Sequence, residues 1–254
     1  MKLKGYSQFI KEDVSSDMSE INPIIDYTLL DESASGQDIL KLCRKAKDLG
    51  VKSVCVLPKM VKIAAQELRD SKVLVCTVIS FPSGLKSAEE KADEARTAIY
   101  GGADEIDMVL NHSIIKQKGY ESHEELWNEV AKVANVCHEH RDKHSKSVTL
   151  KVIVESGLLT DEEVVIATEI CEDGGADYIK TSTGKTGVGA ELNKVRIMYN
   201  TIKNSGSKMK IKASGGINDL SQINQFISYV DRFGMGYASV DKLNGLTATN
   251  NSNY

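Results

Sequence analysis

No stretch of this sequence approaches the roughly 20 apolar residues that a bilayer-spanning helix needs. The opening segment, MKLKGYSQFIKEDVSSDMSE, has no apolar centre of the kind a secretory signal requires. Charge of one sign is lacking too. The 32 Lys and Arg stand against 36 Asp and Glu, a formal net charge of −4, and no basic stripe marks a nucleic-acid-binding face. Cysteines are few and irregular: Cys43, Cys55, Cys76, Cys137 and Cys171 include no C-x-x-C pair. An odd number in a chain of this size argues for reduced thiols and a cytoplasmic setting. Metal-binding patterns are missing as well. His140 and His144 have helical spacing but sit in the polar CHEHRDKHSKS, expected as a solvated helix end. No metal and no cofactor are therefore expected, and an amine rather than a divalent cation is expected to activate a carbonyl. The GKT at 184–186 has Ile179 where a nucleotide phosphate loop requires glycine, and GVG at 187–189 lacks the third glycine of a dinucleotide fingerprint.

What remains is a chain of 254 residues, 41% apolar and 27% charged, long enough to bury a core without disulfides or metals. Eight short, mostly apolar runs at 24–28, 52–57, 73–80, 105–110, 149–155, 178–182, 210–214 and 232–236 read as strands of a covered parallel sheet. Amphipathic stretches separate them, closing in glycine, and Thr160 with Glu163 forms the signature of a capping box. This alternation predicts an α/β protein, a (β/α)8 TIM barrel over residues 21–245. Residues 1–20 are expected to add a short N-terminal helix under the barrel, and 246–254 a polar tail.

Two segments share one scaffold. GGADEIDMVL (101–110) and GGADYIKTSTGK (174–185) open identically, then place Asp107 in one copy where Lys180 stands in the other. A weaker copy, KDLGVKSVC, puts Cys55 in the same register. Each reads as a helix end, a tight loop and a strand, so the varied residue lies toward the strand's C-terminal end, where barrel enzymes gather catalytic groups.

Lys180 has a counterpart on the next strand, Lys212 in KIKAS. Parallel neighbours lie about 4.8 Å apart, so the two ammonium groups can approach and disfavour each other's charge. A lysine beside another cation loses its proton more readily and becomes a nucleophile toward carbonyls. Asp107 adds a carboxylate able to relay a proton. A strand-end lysine is more often a snorkelling side chain, but two on adjacent strands ahead of glycine loops point to a site. Those loops, 181–189, 213–219 and 232–239, expose backbone N–H groups suited to phosphate, with Lys185 adding a point charge.

Taken together, GADEIDMV, LKVIVESG, DYIKTSTGK and KIKASGGI, with IDYTLLD and SFPSG, resemble the deoxyribose-phosphate aldolase family over residues 20–240. The resemblance implies a class I aldolase in which Lys180 forms a Schiff base, Lys212 perturbs it and Asp107 transfers protons. It implies reversible cleavage of 2-deoxy-D-ribose 5-phosphate to acetaldehyde and D-glyceraldehyde 3-phosphate. Substrate and phosphate contacts are expected at Asp26, Thr28, Cys55, Thr183, Gly184, Lys185, Gly215, Gly216, Gly234 and Gly236. Tyr254, at the end of ATNNSNY, is expected to assist proton exchange at the enamine carbon. The implied partners are small-molecule sugar phosphates and aldehydes, with a second copy of the chain (a homo-oligomer, as a dimer), and neither nucleic acid nor membrane. Asn218 stands where the family often has arginine, and FGMGYAS replaces the commoner run after the eighth strand (Phe233 to Ser239). Rival readings are an aldolase for another sugar phosphate, a barrel isomerase using Asp107 or Glu155 as base, and a sugar-phosphate sensor.

Overall fold

The computed structural model describes residues 17–142 and 144–246. Tyr254 and the rest of the expected tail beyond Leu246 lie outside the described residues, as do residues 1–16. Eight parallel strands close into a barrel in sequence order: β1 (Ile25–Leu29), β2 (Ser53–Val56), β3 (Leu74–Ile79), β4 (Glu105–Val109), β5 (Thr149–Ile153), β6 (Tyr178–Lys180), β7 (Lys210–Ser214) and β8 (Arg232–Gly236). β8 returns to β1, so no sheet edge is left open. Every strand falls on an expected run, with ends differing by at most two residues.

Helices surround the barrel, and local sequence starts them. Ser35 with Asp38, Ser87 with Glu90 and Thr160 with Glu163 each form a capping box, which satisfies N–H groups that a helix start leaves unpaired. Outward strand residues such as Val54, Ile106 and Val152 are fully buried against helix residues such as Ile39, Val130 and Ile170. All five cysteines are free and buried. Among the described residues no helix is long and apolar enough to cross a membrane. Of the expected N-terminal helix, Met18–Ile21 is described, and Asn22 after it donates to Leu49 O (3.0 Å) and Asn244 Oδ1 (2.9 Å).

The repeated scaffold is real, and aspartate explains it. In each copy the first glycine keeps a right-handed φ of −74° and the second turns the chain, at φ 100° for Gly102 and 82° for Gly175. The glycine expected as the left-handed helix end is thus the second of the pair, because the first still closes the last helical turn. Asp104 then donates its N–H to Val75 O (2.7 Å) and accepts the Val75 N–H at Oδ2 (2.8 Å). Asp177 does the same to Leu150, at 3.0 and 2.8 Å. A third clamp was not visible as a repeat: Asp231 binds Ile211 in the same two ways, at 2.9 and 3.1 Å. Each clamp sets the entry of one strand against its predecessor, and the residue three places later (Asp107, Lys180 or Gly234) faces the lumen.

Candidate active site

Side chains alternate across a strand, so Glu105 and Asp107 of β4 face the lumen together. Closure brings them to Asp26 (β1), Lys151 (β5), Lys180 (β6), Lys212 (β7) and Arg232 (β8), all buried. Register sets the neighbours: Asp107 pairs with Lys151, and Lys180 with Lys212, as expected for the two lysines at one depth. Asp107 Oδ2 accepts from both Lys180 Nζ and Lys212 Nζ at 2.7 Å, while its Oδ1 accepts from Lys151 Nζ at 2.8 Å. Lys212 also contacts Asp26 Oδ2 at 2.5 Å. Toward the strands' N-terminal ends, Arg232 bridges Asp26 (2.5 Å) and Glu105 (3.2 Å), and Lys151 meets Glu105 at 2.7 Å.

Three carboxylates (Asp26, Glu105, Asp107) therefore face four cations (Lys151, Lys180, Lys212, Arg232). Burial disfavours charge on Asp107, but Lys151, Lys180 and Lys212 outweigh it and hold the carboxyl well below the usual range. Asp26 is lowered in the same way by Arg232, Lys212 and Lys151. For Lys212 the expected mutual lowering with Lys180 is reversed. Burial opposes its charge, yet Asp107 and Asp26 more than offset this and push it above the usual lysine range. It is a fixed cation, not a partly titrating one. Lys151 is likewise raised well above the ordinary value, by Asp107, Cys76 and Glu105 against the cost of burial.

Lys151, Glu105 and Arg232 escaped sequence reading. Lys151 carries the same anomaly as Lys180, a charge inside a buried apolar run, and Glu105 lies two residues from Asp107 on the same face. Cys55 lines a small apolar cluster inside the barrel with Leu57, Cys76 and Val78, flanked by Leu30 and Phe81. Cys76 Sγ lies 3.2 Å from Asp107 Oδ1. Cys55, Cys76 and Asp107 offer ligand atoms within 4.8 Å of one another, but the three ammonium groups around Asp107 oppose a metal cation there.

The loops after β6 and β7 pack against each other at the C-terminal mouth. Gly189 packs so closely on the β7 loop that a Cβ there would stand 2.2 Å from Gly215 O. Gly184, Gly215 and Gly216 all have positive φ. Asn218, where the family often has arginine, acts as a strut: it donates to Gly216 O (3.2 Å) and accepts from Ser239 Oγ (2.8 Å), joining the β7 loop to the helix Tyr237–Leu243 that follows β8. Lys185 reaches across to Leu30 O at 3.5 Å. The Thr183 hydroxyl and N–H both donate to Glu155, a buried residue at φ 52°, and Thr28 Oγ1 donates to Asp26 O. Gly234 and Gly236 both belong to β8; Gly236 faces open space, whereas a Cβ at Gly234 would stand 2.9 Å from Ser214 Cβ and 3.0 Å from Lys212 Cε. Gly234 makes room for Ser214 and Lys212, a packing task that sequence reading did not assign to it.

A closed parallel barrel whose lumen presents a lysine, a carboxylate and a second cation near the strand C-terminal ends defines an enzyme built for amine chemistry. Comparison with known proteins names the family. The chain belongs to the DeoC/LacD family of aldolases, whose profile matches residues 23–238. It is 44% identical over 206 residues to the deoxyribose-phosphate aldolase of Mycoplasmoides pirum, covering 81% of this chain and 88% of that one. It is 41% identical to that of Lactococcus lactis subsp. lactis, covering 91% and 99%. A solved structure from Aeropyrum pernix, described as a tetrameric deoxyribose phosphate aldolase, superposes with a TM-score of 0.78 at 27% identity, covering 92% and 94%.

Proposed function

We propose that this protein reversibly cleaves 2-deoxy-D-ribose 5-phosphate to acetaldehyde and D-glyceraldehyde 3-phosphate through a Schiff base on Lys180. One observation carries the reading: Lys180 Nζ and Lys212 Nζ share Asp107 Oδ2, each at 2.7 Å, at the mouth side of the lumen. The lumen holds one cation more than it has carboxylates, so release of one proton leaves three against three. Lys180 meets a single carboxylate oxygen, and that one is shared, while Lys212 and Lys151 each contact more than one carboxylate.

The amine adds to the open-chain aldehyde carbon, and loss of water gives an iminium that draws electrons from the neighbouring carbons. The C2–C3 bond then breaks as the C3 hydroxyl gives up its proton. Glyceraldehyde 3-phosphate leaves, and an enamine remains. Protonation at C2 and hydrolysis release acetaldehyde and restore the amine. Asp107 stands where protons must be passed to and from nitrogen. Lys212 keeps it ionised. The rival base Glu155 already accepts from Thr183 and Thr186, which disfavours an isomerase. The test is borohydride reduction with acetaldehyde followed by peptide mass mapping, alongside a turnover assay. Absence of both a reduced ethyl adduct and cleavage would end this reading.

Two substitutions separate the loops from the lumen. Gly216→Val fills open space at a positive φ in the β7 loop. It should lower kcat/KM for deoxyribose 5-phosphate about tenfold more than for unphosphorylated deoxyribose, since charged hydrogen bonds contribute roughly 1.5–3 kcal/mol each. Equal losses would place the phosphate elsewhere. Gly234→Ala crowds Ser214 Cβ and the Lys212 side chain and should cut kcat by about 10²-fold with little change in KM. Gly236→Ala, two residues on at the end of β8, should be tolerated; a converse result would return Gly234 to a binding role. The tetrameric Aeropyrum pernix relative supports a homo-oligomer here, which light scattering would size.

A further inference from the structure

The barrel has a second opening at the N-terminal ends of its strands, opposite the mouth. There a cavity of about 610 Å³ is lined by Lys52, Lys72, Lys146, Lys208 and Lys210, with the Arg232 guanidinium on its floor. These cations arrive from separate segments: those preceding β2, β3 and β5, the start of β7, and the start of β8.

The carboxylates nearby are already committed. Glu105 is held by Lys151 and Arg232. Asp142 accepts the N–H groups of His144 and Lys146 at 2.9 and 2.8 Å, closing its own hairpin. Asp177 is the strand clamp described above, and also contacts His138 at 3.1 Å. Lys52, Lys72, Lys146 and Lys208 make no ion pair among the described residues. Lys210 lies only over the Tyr178 ring, 5.5 Å from its centroid. Lys52 is half-buried, and burial followed by repulsion from Arg232 lowers its pKa, with Glu105 opposing and Lys146 adding a smaller lowering. The five lysines and Arg232 outnumber Glu105, Asp142 and Asp177 in the lining, so the cavity is net positive, and such a concave site focuses its field inward and concentrates anions. Five lysines around one cavity exceed what a single phosphate group can meet.

We propose that this basal cavity binds a diphosphate-type anion, a ligand with several adjacent anionic oxygens such as free pyrophosphate or the diphosphate of a nucleotide. The site shares Arg232 and Glu105 with the lumen's ion network but opens at the end opposite the mouth, and would hold its ligand whether or not the aldolase reading stands.

Calorimetric titration of the full chain with inorganic pyrophosphate at about 0.1 M salt tests this; the Debye length is then about 10 Å, so diffuse attraction is largely screened. Saturable binding is expected in the wild type and in Lys185→Gln at the opposite mouth. Lys52→Gln/Lys146→Gln should weaken it at least about tenfold, the loss of one charged hydrogen bond or more. Because Lys52 is half-buried, the rim pair Lys72→Gln/Lys208→Gln, both exposed, gives a second reading if the first folds poorly. Lys41→Gln, a remote charge change, should leave binding intact. A parallel titration with adenosine diphosphate distinguishes the sources: tighter binding than pyrophosphate indicates a nucleotide, equal or weaker binding the free anion. The proposal is overturned if binding follows Lys185, survives both basal double variants, is matched by orthophosphate, or does not saturate.

Discussion

Lys180→Leu should leave no reducible acetaldehyde adduct and lower cleavage of deoxyribose 5-phosphate by about 10⁴-fold or more, as loss of a covalent nucleophile does. Lys180→Arg should be equally inactive, because it restores charge without a nucleophilic amine. The folding consequence runs the other way. Removing Lys180 leaves Asp26, Glu105 and Asp107 against Lys151, Lys212 and Arg232, a balanced set. Denaturant unfolding of Lys180→Leu should therefore show stability equal to or above wild type. A persisting adduct on another lysine would overturn the assignment, and a large loss of stability would overturn the charge count.

Asp107→Asn should be damaging on both counts. The carboxylate is fully buried and contacts Lys151, Lys180 and Lys212. Breaking a buried pair by removing one partner typically costs about 3–5 kcal/mol, and here three cations lose a shared counter-charge. Cleavage should fall with it, since the amine loses its proton partner. The pH dependence follows from the lowered carboxyl of Asp107. Its folded pKa lies below its unfolded value of about 3.9, so its stabilisation is complete above that pH and drains away as pH falls toward the folded pKa. Unfolding measured at pH 7 and near pH 3 should show wild type losing more stability on acidification than Asp107→Asn. Identical acid slopes would mean that the carboxylate's charge does not stabilise the fold.

Much of this was legible before any coordinates. Strand positions could be read because parallel strands buried on both faces are continuous apolar runs. Lys180 and Lys212 stood out as a pair on adjacent strands ahead of glycine loops, since snorkelling explains either alone, and Asp107 stood out as the counterpart of Lys180 in a repeated scaffold. Lys151 was visible as a charge inside LKVIVE, but its partners were not. Lys212 lies 105 residues from Asp107 and Arg232 lies 206 from Asp26, so only closure of the barrel reveals which charges meet. That is why mutual lowering looked plausible for Lys212 when two carboxylates in fact hold it charged. Gly234 illustrates a second limit. A glycine that turns the chain and one that spares its neighbours' side chains look alike in sequence, and the contacts with Ser214 and Lys212 separate them.

The aspartate clamps make the barrel a set of interchangeable sockets. Asp104, Asp177 and Asp231 fasten three strand entries in one way, and the third residue beyond each is Asp107, Lys180 and Gly234. Fastening and output are thus carried by different side chains of the same short segment. Chemistry at the output can be exchanged while the fastening stays untouched, as an acid, an amine and an empty seat already show within one chain. Someone wishing to install a new functional group in this lumen would keep the clamp and rewrite the residue three places on, clearing its neighbours to fit.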